Sequence, residues 1–200
     1  MRKAESPAVS AETPDETLVH RVLEGEDEAF RILMARHYSG VYRLAYYWTG
    51  NRDDALDLCQ ECFVHLYRVM GKYDPQYRFR VWMYRVSANR CINWVKANRR
   101  ARETVPFSHL SEWVLEFPDT EPSPLDRAQE KEARQSLLEA VHELPERYRA
   151  PIILRYMEDL SYKEIAAVLE ISLKNVEIRI HRAKKMLYER LKDRLLGEEE

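Results

Sequence analysis

Glycine is scarce: five in 200 residues leave little material for tight turns, and no Gly-rich phosphate loop, zinc-protease motif or nucleophile elbow occurs. Nothing in the chain therefore points to an enzyme or to a bound cofactor. No apolar run reaches the ~18 residues of a membrane span. The N-terminal stretch holds Arg2 and Lys3 but no apolar segment, which argues against a signal peptide. Three cysteines make an odd count and all sit in helical patterns, so a reducing, cytoplasmic setting without structural disulfides is expected. Strand-like alternation and internal repeats are lacking as well.

What the chain does have is charge and helical periodicity. Charged residues make up 33% and apolar residues 45%, a helix-prone balance. The net charge of -2 hides a strongly uneven distribution. Residues 1–14 carry almost no large apolar group and are expected to be disordered, because they bury too little to offset the entropy of ordering. Helices are expected at 15–24, with Asp15 as cap, and at 27–48, where Phe30, Leu33, Met34, His37, Val41, Leu44, Ala45 and Trp48 recur at threes and fours. A third helix runs from about Asp53 to a stop at Gly71, and a fourth from Phe79 to Arg99. Further helices are expected at 126–143, 146–158, 161–169 and 172–195.

Between the two helical blocks the chain changes character. Pro106, Pro118, Pro122 and Pro124 interrupt it, and residues 103–132 hold eight acids against Arg127 and Lys131. This reads as a linker. Phe107, Leu110, Trp113, Val114 and Phe117 within it fit a short amphipathic turn, either docked on one domain or offered to a partner. The fold expected is thus all-α: a disordered N-terminus (1–14), a helical domain (15–100), a flexible acidic linker (101–128) and a second small helical domain (129–197).

The second domain contains a capped short helix, a turn and a longer helix. Ser161 and Glu164 have the spacing of a capping box, and Ser172 is placed to cap the second helix. Ile165, Ala166 and Leu169 face inward on the first helix; Val176, Ile180, Ala183 and Leu187 form the buried stripe of the second. This is the geometry of a helix-turn-helix, whose second helix enters the major groove. Residues 172–192 carry seven bases against two acids, a charge suited to phosphate. Lys174, Asn175, Glu177, Ile178 and Arg179 occupy the first two turns; Arg182 and Lys185 lie further along. The plain alternative is a solvated face on a helical hairpin.

In the first domain, residues 78–102 carry eight bases and no acid. Arg78, Arg80, Arg85, Arg90, Lys96, Arg99 and Arg100 are interleaved with Phe79, Trp82 and Trp94, and Tyr73 and Tyr77 stand just before. Aromatic faces stack on unpaired bases while cations follow the backbone, so the pattern suits single-stranded nucleic acid. Asn89 and Asn93 can read base edges. Trp82, Val86 and Trp94 equally fit a core.

These blocks resemble a known family. The stretch FRILMARHYSGVYRLA, then DDALDLCQECFVHLYR and FRVWMYRVSANRCINWVK, resembles region 2 of extracytoplasmic-function (ECF) sigma factors. LPERYRAPIILRYMEDLSYKEIAAVLEISLKNVEIRIHRAKKML resembles their region 4. The resemblance covers about residues 15–100 and 128–195. It implies a promoter-specificity subunit of bacterial RNA polymerase. Asp54, Asp57, Gln60 and Glu61 would dock on the polymerase core, and Tyr73 to Arg100 would bind and melt the −10 element. Ser172 to Lys185 would read the −35 element, and an anti-sigma factor is an expected partner. Two features depart from the family pattern. Glu170 occupies a turn position where Gly is frequent, which implies a small backbone cost if φ is positive. Glu177 stands where Lys is frequent, and a carboxylate there repels phosphate but accepts from a cytosine amino group. Cys59, Cys62 and His65 share the spacing C-x2-C-x2-H; core packing and a metal or redox site are both open. Competing functions are an ordinary helix-turn-helix regulator with a sensor half, and a charged scaffold. The second basic, aromatic block favours the sigma reading over both.

Overall fold

The computed structural model describes residues 9–98 and 136–196. The expected linker, its apolar turn, Arg99 and Arg100 lie outside the described residues. The first lobe consists of α1 (Asp15–Leu23), α2 (Asp27–Thr49), α3 (Arg52–Val69), a single 3-10 turn (Met70–Lys72) and α4 (Phe79–Asn98). The second consists of helical residues 136–142 (α5), α6 (Glu146–Tyr156), α7 (Tyr162–Leu169) and α8 (Leu173–Leu196). No strand occurs among the described residues.

Local chemistry sets the helix ends. Gly50, at φ 68°, closes α2 in the left-handed conformation that lacks a Cβ penalty. Asn51 then starts α3: its side chain accepts from the amides of Asp53 (2.8 Å) and Asp54 (3.1 Å). Ser161 and Glu164 complete the capping box of α7, and the Asn175 amide donates to Ser172 Oγ at 3.2 Å. Three expectations need correction. Asp15 does not cap α1. Pro14 holds that position, and the Asp15 carboxylate instead accepts from Arg36 and pairs with His37 Nε2 at 2.8 Å. Arg36 also donates to the Ala11 and Thr13 carbonyls at 2.6 and 2.8 Å, so residues 9–14 are fastened to α2 rather than disordered. Gly71 lies inside the 3-10 turn, two residues beyond the end of α3.

Helix α2 is the axis of the molecule. It packs on α1, α3 and α4, and it also touches α6. Its second half, Val41 to Thr49, is therefore buried nearly all round, with only Arg43 partly accessible. In the second lobe α6 packs on α8 and α7 on α8, with Ile153, Leu154, Ile165, Val176, Ile180 and Ala183 closing the core. The lobes meet where α4 packs on α7 and α2 on α6.

Candidate nucleic-acid and polymerase interfaces

Helix α4 presents two faces. Phe79, Val81, Met83, Tyr84, Ala88, Cys91 and Val95 are buried, while Arg85, Asn89, Asn93 and Lys96 are exposed. Just before it, the Gln76 amide donates to Asp74 Oδ1 at 2.9 Å, which shapes the loop and leaves Tyr77 60% exposed. The Tyr73 hydroxyl donates to the Tyr77 carbonyl. The Tyr73 ring meets Phe79 and Trp82 edge-on, at centroid distances of 5.7 and 5.5 Å. Phe79 also abuts His37 and is only 2% exposed. The expectation that Phe79 contacts DNA is thus corrected: its ring supports Tyr73 and Trp82 from the core, and Tyr77 is the most exposed ring beside it. Trp82 and Trp94 are half-buried, between the two readings open at the sequence level.

The basic side chains of α4 are largely paired. Arg90 donates to Glu61 at 2.7 Å, Arg85 Nε to Glu170 at 2.9 Å and Arg78 to Glu164 at 3.4 Å. Arg80 reaches the Glu158 carbonyl and lies 3.5 Å from its carboxylate. Glu158 is 2% exposed and also takes Arg43 at 2.8 Å and the Tyr84 hydroxyl. Burial first, then the Glu158 carboxylate, pushes the Tyr84 phenol far above its usual range. Burial alone would raise the Glu164 carboxyl, but hydrogen bonds from Ser161 and the nearby Arg78 hold it below its usual value. The sequence does not single out Arg43, Tyr84 and Glu158. Glu164 reads there only as a helix-capping residue and Glu170 only as a turn residue with a backbone cost at positive φ, which at 54° it has; their pairing with Arg78 and Arg85 is not read from it.

The helix-turn-helix follows the expected register. Val176, Ile180, Ala183 and Leu187 are buried, and Val168 joins Ile165 in the core while Ala166 and Leu169 are half-buried. Ser172, Lys174, Asn175, Glu177 and Ile178 are exposed at the start of α8, and Arg179 is half-buried. Further along, Lys185 is exposed and weakly paired with Glu189 at 3.9 Å. The Arg182 guanidinium, with Arg147, favours the ionised Tyr148 phenol and holds it below its usual value.

On α3, Asp54, Asp57, Gln60 and Glu61 are exposed and lie along one side. Next to them Phe30, Met34, Tyr38, Phe63, Val64 and Tyr67 line an apolar groove rimmed by Gln60 and Arg68. Its sequence signal was the apolar pair Val64 and Tyr67 lying off the buried stripe. Cys59, Cys62 and Cys91 are all buried. Burial, with Cys62 nearby, pushes the Cys59 thiol up to about 12. Among the described residues no three His, Cys, Asp or Glu side chains are grouped to hold a metal.

Comparison with known proteins agrees with this layout. The model of "Sigma-70 region 2" matches residues 33–101, and that of "Sigma-70, region 4" matches residues 134–187. The chain is similar to the ECF RNA polymerase sigma factor SigE of Mycolicibacterium smegmatis, 35% identical over 155 residues, with 78% of this chain and 58% of that protein covered. It therefore spans little more than half of that relative's length. Similarity to SigW of Bacillus subtilis is 28% over 182 residues, covering 88% of this chain and 95% of SigW. Among solved structures, CnrH in complex with the cytosolic domain of CnrY superposes with a TM-score of 0.64 at 26% identity, covering 92% of this chain and 98% of CnrH. A region 2 followed by a region 4, each on its own helical lobe, defines the class of RNA polymerase sigma factors. Within that class, the chain belongs to the ECF group of the sigma-70 family.

Proposed function

We propose that this chain directs bacterial RNA polymerase core to promoters in the cytoplasm. The exposed acidic edge of α3, around Asp54, Asp57, Gln60 and Glu61, docks on a basic surface of the core enzyme. The 73–77 loop and α4 bind the −10 element and hold it melted. Tyr77 and Trp82 stack on unpaired bases; Arg78, Arg80, Arg85, Asn89, Arg90, Asn93, Lys96, Arg99 and Arg100 follow the strand. The first two turns of α8, with Lys174, Asn175, Glu177, Ile178 and Arg179, read the −35 element, and Arg182 and Lys185 meet phosphate. The division of the chain into two lobes with a linker at 101–128 is part of this reading. An anti-sigma factor is the proposed regulator; CnrH is likewise bound by another protein, the cytosolic domain of CnrY.

The observation that carries the reading is the presence of two separate basic helical modules on one chain. A simple helix-turn-helix regulator needs only the second. Transcription in vitro with core polymerase on a genomic promoter library tests it. Discrete start sites that require this chain are expected; their absence sinks the reading.

A further inference from the structure

Three of the arginines assigned above to the −10 strand are already occupied by acids of the other lobe. Arg80 is held by Glu158, Arg78 by Glu164 and Arg85 by Glu170. The three acids recur every six residues, through the end of α6, the first turn of α7 and the turn before α8. They are not equivalent. Arg78 and Glu170 are solvent-exposed, so the two outer pairs are screened and weak. Glu158 is buried and takes three partners from the first lobe: Arg43 and Arg80 as ion pairs and Tyr84 through its hydroxyl. A carboxylate removed from water is stable only when paired and hydrogen-bonded, so Glu158 favours the closed arrangement and no other seen here. Gly40 makes room for it: a Cβ on Gly40 would lie 2.8 Å from the Glu158 carboxylate oxygen. A second tie runs from Arg149 of α6 to the Tyr47 carbonyl of α2 at 2.7 Å.

We propose that Glu158, Glu164 and Glu170 act as an internal substitute for promoter phosphates, with Glu158 as the latch that docks the helix-turn-helix lobe onto the −10 face of α4. The proposal rests on the assignment of α4 to the −10 element. In the closed state single-stranded DNA competes with the second lobe for Arg78, Arg80 and Arg85. The exposed start of α8 is not covered, so duplex contacts by Lys174 and Asn175 remain open. The free chain is therefore asymmetric, with its −35 reader accessible and its −10 surface masked. Core polymerase separates the lobes if it binds the open form more tightly, since only differential affinity shifts such an equilibrium.

The test uses the full chain and two variants. Glu158→Gln keeps the shape of the latch and removes its charge. Glu170→Gln alters an exposed side chain that the fold does not need. Binding of a dye-labelled, mixed-sequence single-stranded DNA dodecamer is followed by fluorescence anisotropy, and lobe separation by small-angle X-ray scattering. A closed population near nine-tenths masks affinity about tenfold, so Glu158→Gln is expected to bind the dodecamer roughly tenfold more tightly, with a larger radius of gyration. Glu170→Gln gives a smaller gain in the same direction. Unchanged radius and unchanged binding in both variants overturn the latch. A larger radius without tighter binding overturns the masking of DNA. Promoter-directed transcription by the wild-type chain stands apart from both results and tests the sigma-factor reading by itself.

Discussion

Gly40→Ala gives a sharp test of the packing around α2, because a helix-propensity gain and a steric cost oppose each other and the structure says the cost is larger. Gly40 lies in the middle of a 23-residue helix, where exchange to Ala would ordinarily gain roughly 0.5–1 kcal/mol through lost backbone entropy of the unfolded chain. Here the new methyl would press on the Tyr84 hydroxyl and lie 2.8 Å from Glu158 Oε2. Neither neighbour yields easily: Tyr84 is 1% exposed and Glu158 2%. Overpacking of this kind costs about 1–3 kcal/mol, and a buried hydrogen bond broken on the way costs about 1–3 more. Steric cost wins, for a net loss of about 1–5 kcal/mol. At about 2–4 °C per kcal/mol for a chain of this size, the melting temperature falls by several degrees. Differential scanning calorimetry measures it. The double variant Gly40→Ala/Tyr84→Phe removes the clashing hydroxyl and recovers part of the loss, a coupling that only direct contact produces. A Gly40→Ala chain that melts higher than wild type would refute the reasoning.

Four further outcomes are expected. Asp15→Asn lowers the unfolding free energy at neutral pH by about 1–3 kcal/mol. Because Arg36 and His37, against the effect of burial, hold the Asp15 carboxyl below its ordinary 3.8, that stability is full above about pH 4 and is lost as pH falls through the lower folded value. Urea melts of both chains at pH 7 and pH 2.5 check it, and a gap equally wide at the acid end contradicts it. Asp57→Lys weakens core binding in a pull-down while circular dichroism stays unchanged, since Asp57 is exposed and supports no buried contact; undiminished capture rules out the docking edge. Tyr77→Ala lowers transcription from duplex promoters more than from pre-melted ones, the ring being worth about 1–3 kcal/mol on an unpaired base; equal activity on both templates removes Tyr77 from the melting surface. Glu177→Lys selects a different −35 sequence from a randomised pool, by about 1–3 kcal/mol at the affected position; selection of the wild-type sequence leaves Glu177 a bystander.

Where the controlling interactions are local, the sequence is a sufficient guide. Helical periodicity places Val176, Ile180, Ala183 and Leu187 in the core of α8, and the Ser161–Glu164 spacing forms the capping box, because both depend on residues within a turn or two. Failures begin where a side chain finds a better partner at a distance. Asp15 is adjacent to an N-terminus and looks like a cap, but Arg36 and His37, 21 and 22 residues on, take its carboxylate. Pro151 removes one amide donor and costs about 3 kcal/mol in an isolated helix; the helix expected at 146–158 nevertheless runs through it as α6, buried against the rest of its lobe. Phe79 has the composition of a stacking residue and the environment of a core residue; only packing against His37, Tyr73 and Trp82 separates the two.

The arginines of α4 show the same limit at the level of charge. A stretch with eight bases and no acid reads as a surface waiting for phosphate, and summing charge segment by segment cannot show that acids 78 to 86 positions later lie against it. Glu170 makes the point at a single position. Read as a sequence it is only a departure: a residue with a Cβ where glycine would sit more comfortably, at a φ that turns out to be 54°. In the folded chain its carboxylate accepts from Arg85 Nε at 2.9 Å. Glycine would relieve the backbone and leave Arg85 free. The strained residue therefore adds an exposed ion pair between the turn of the helix-turn-helix and α4, beside the buried Glu158, and a Glu170→Gly chain should be stable in its own lobe while binding single-stranded DNA at least as tightly as Glu170→Gln.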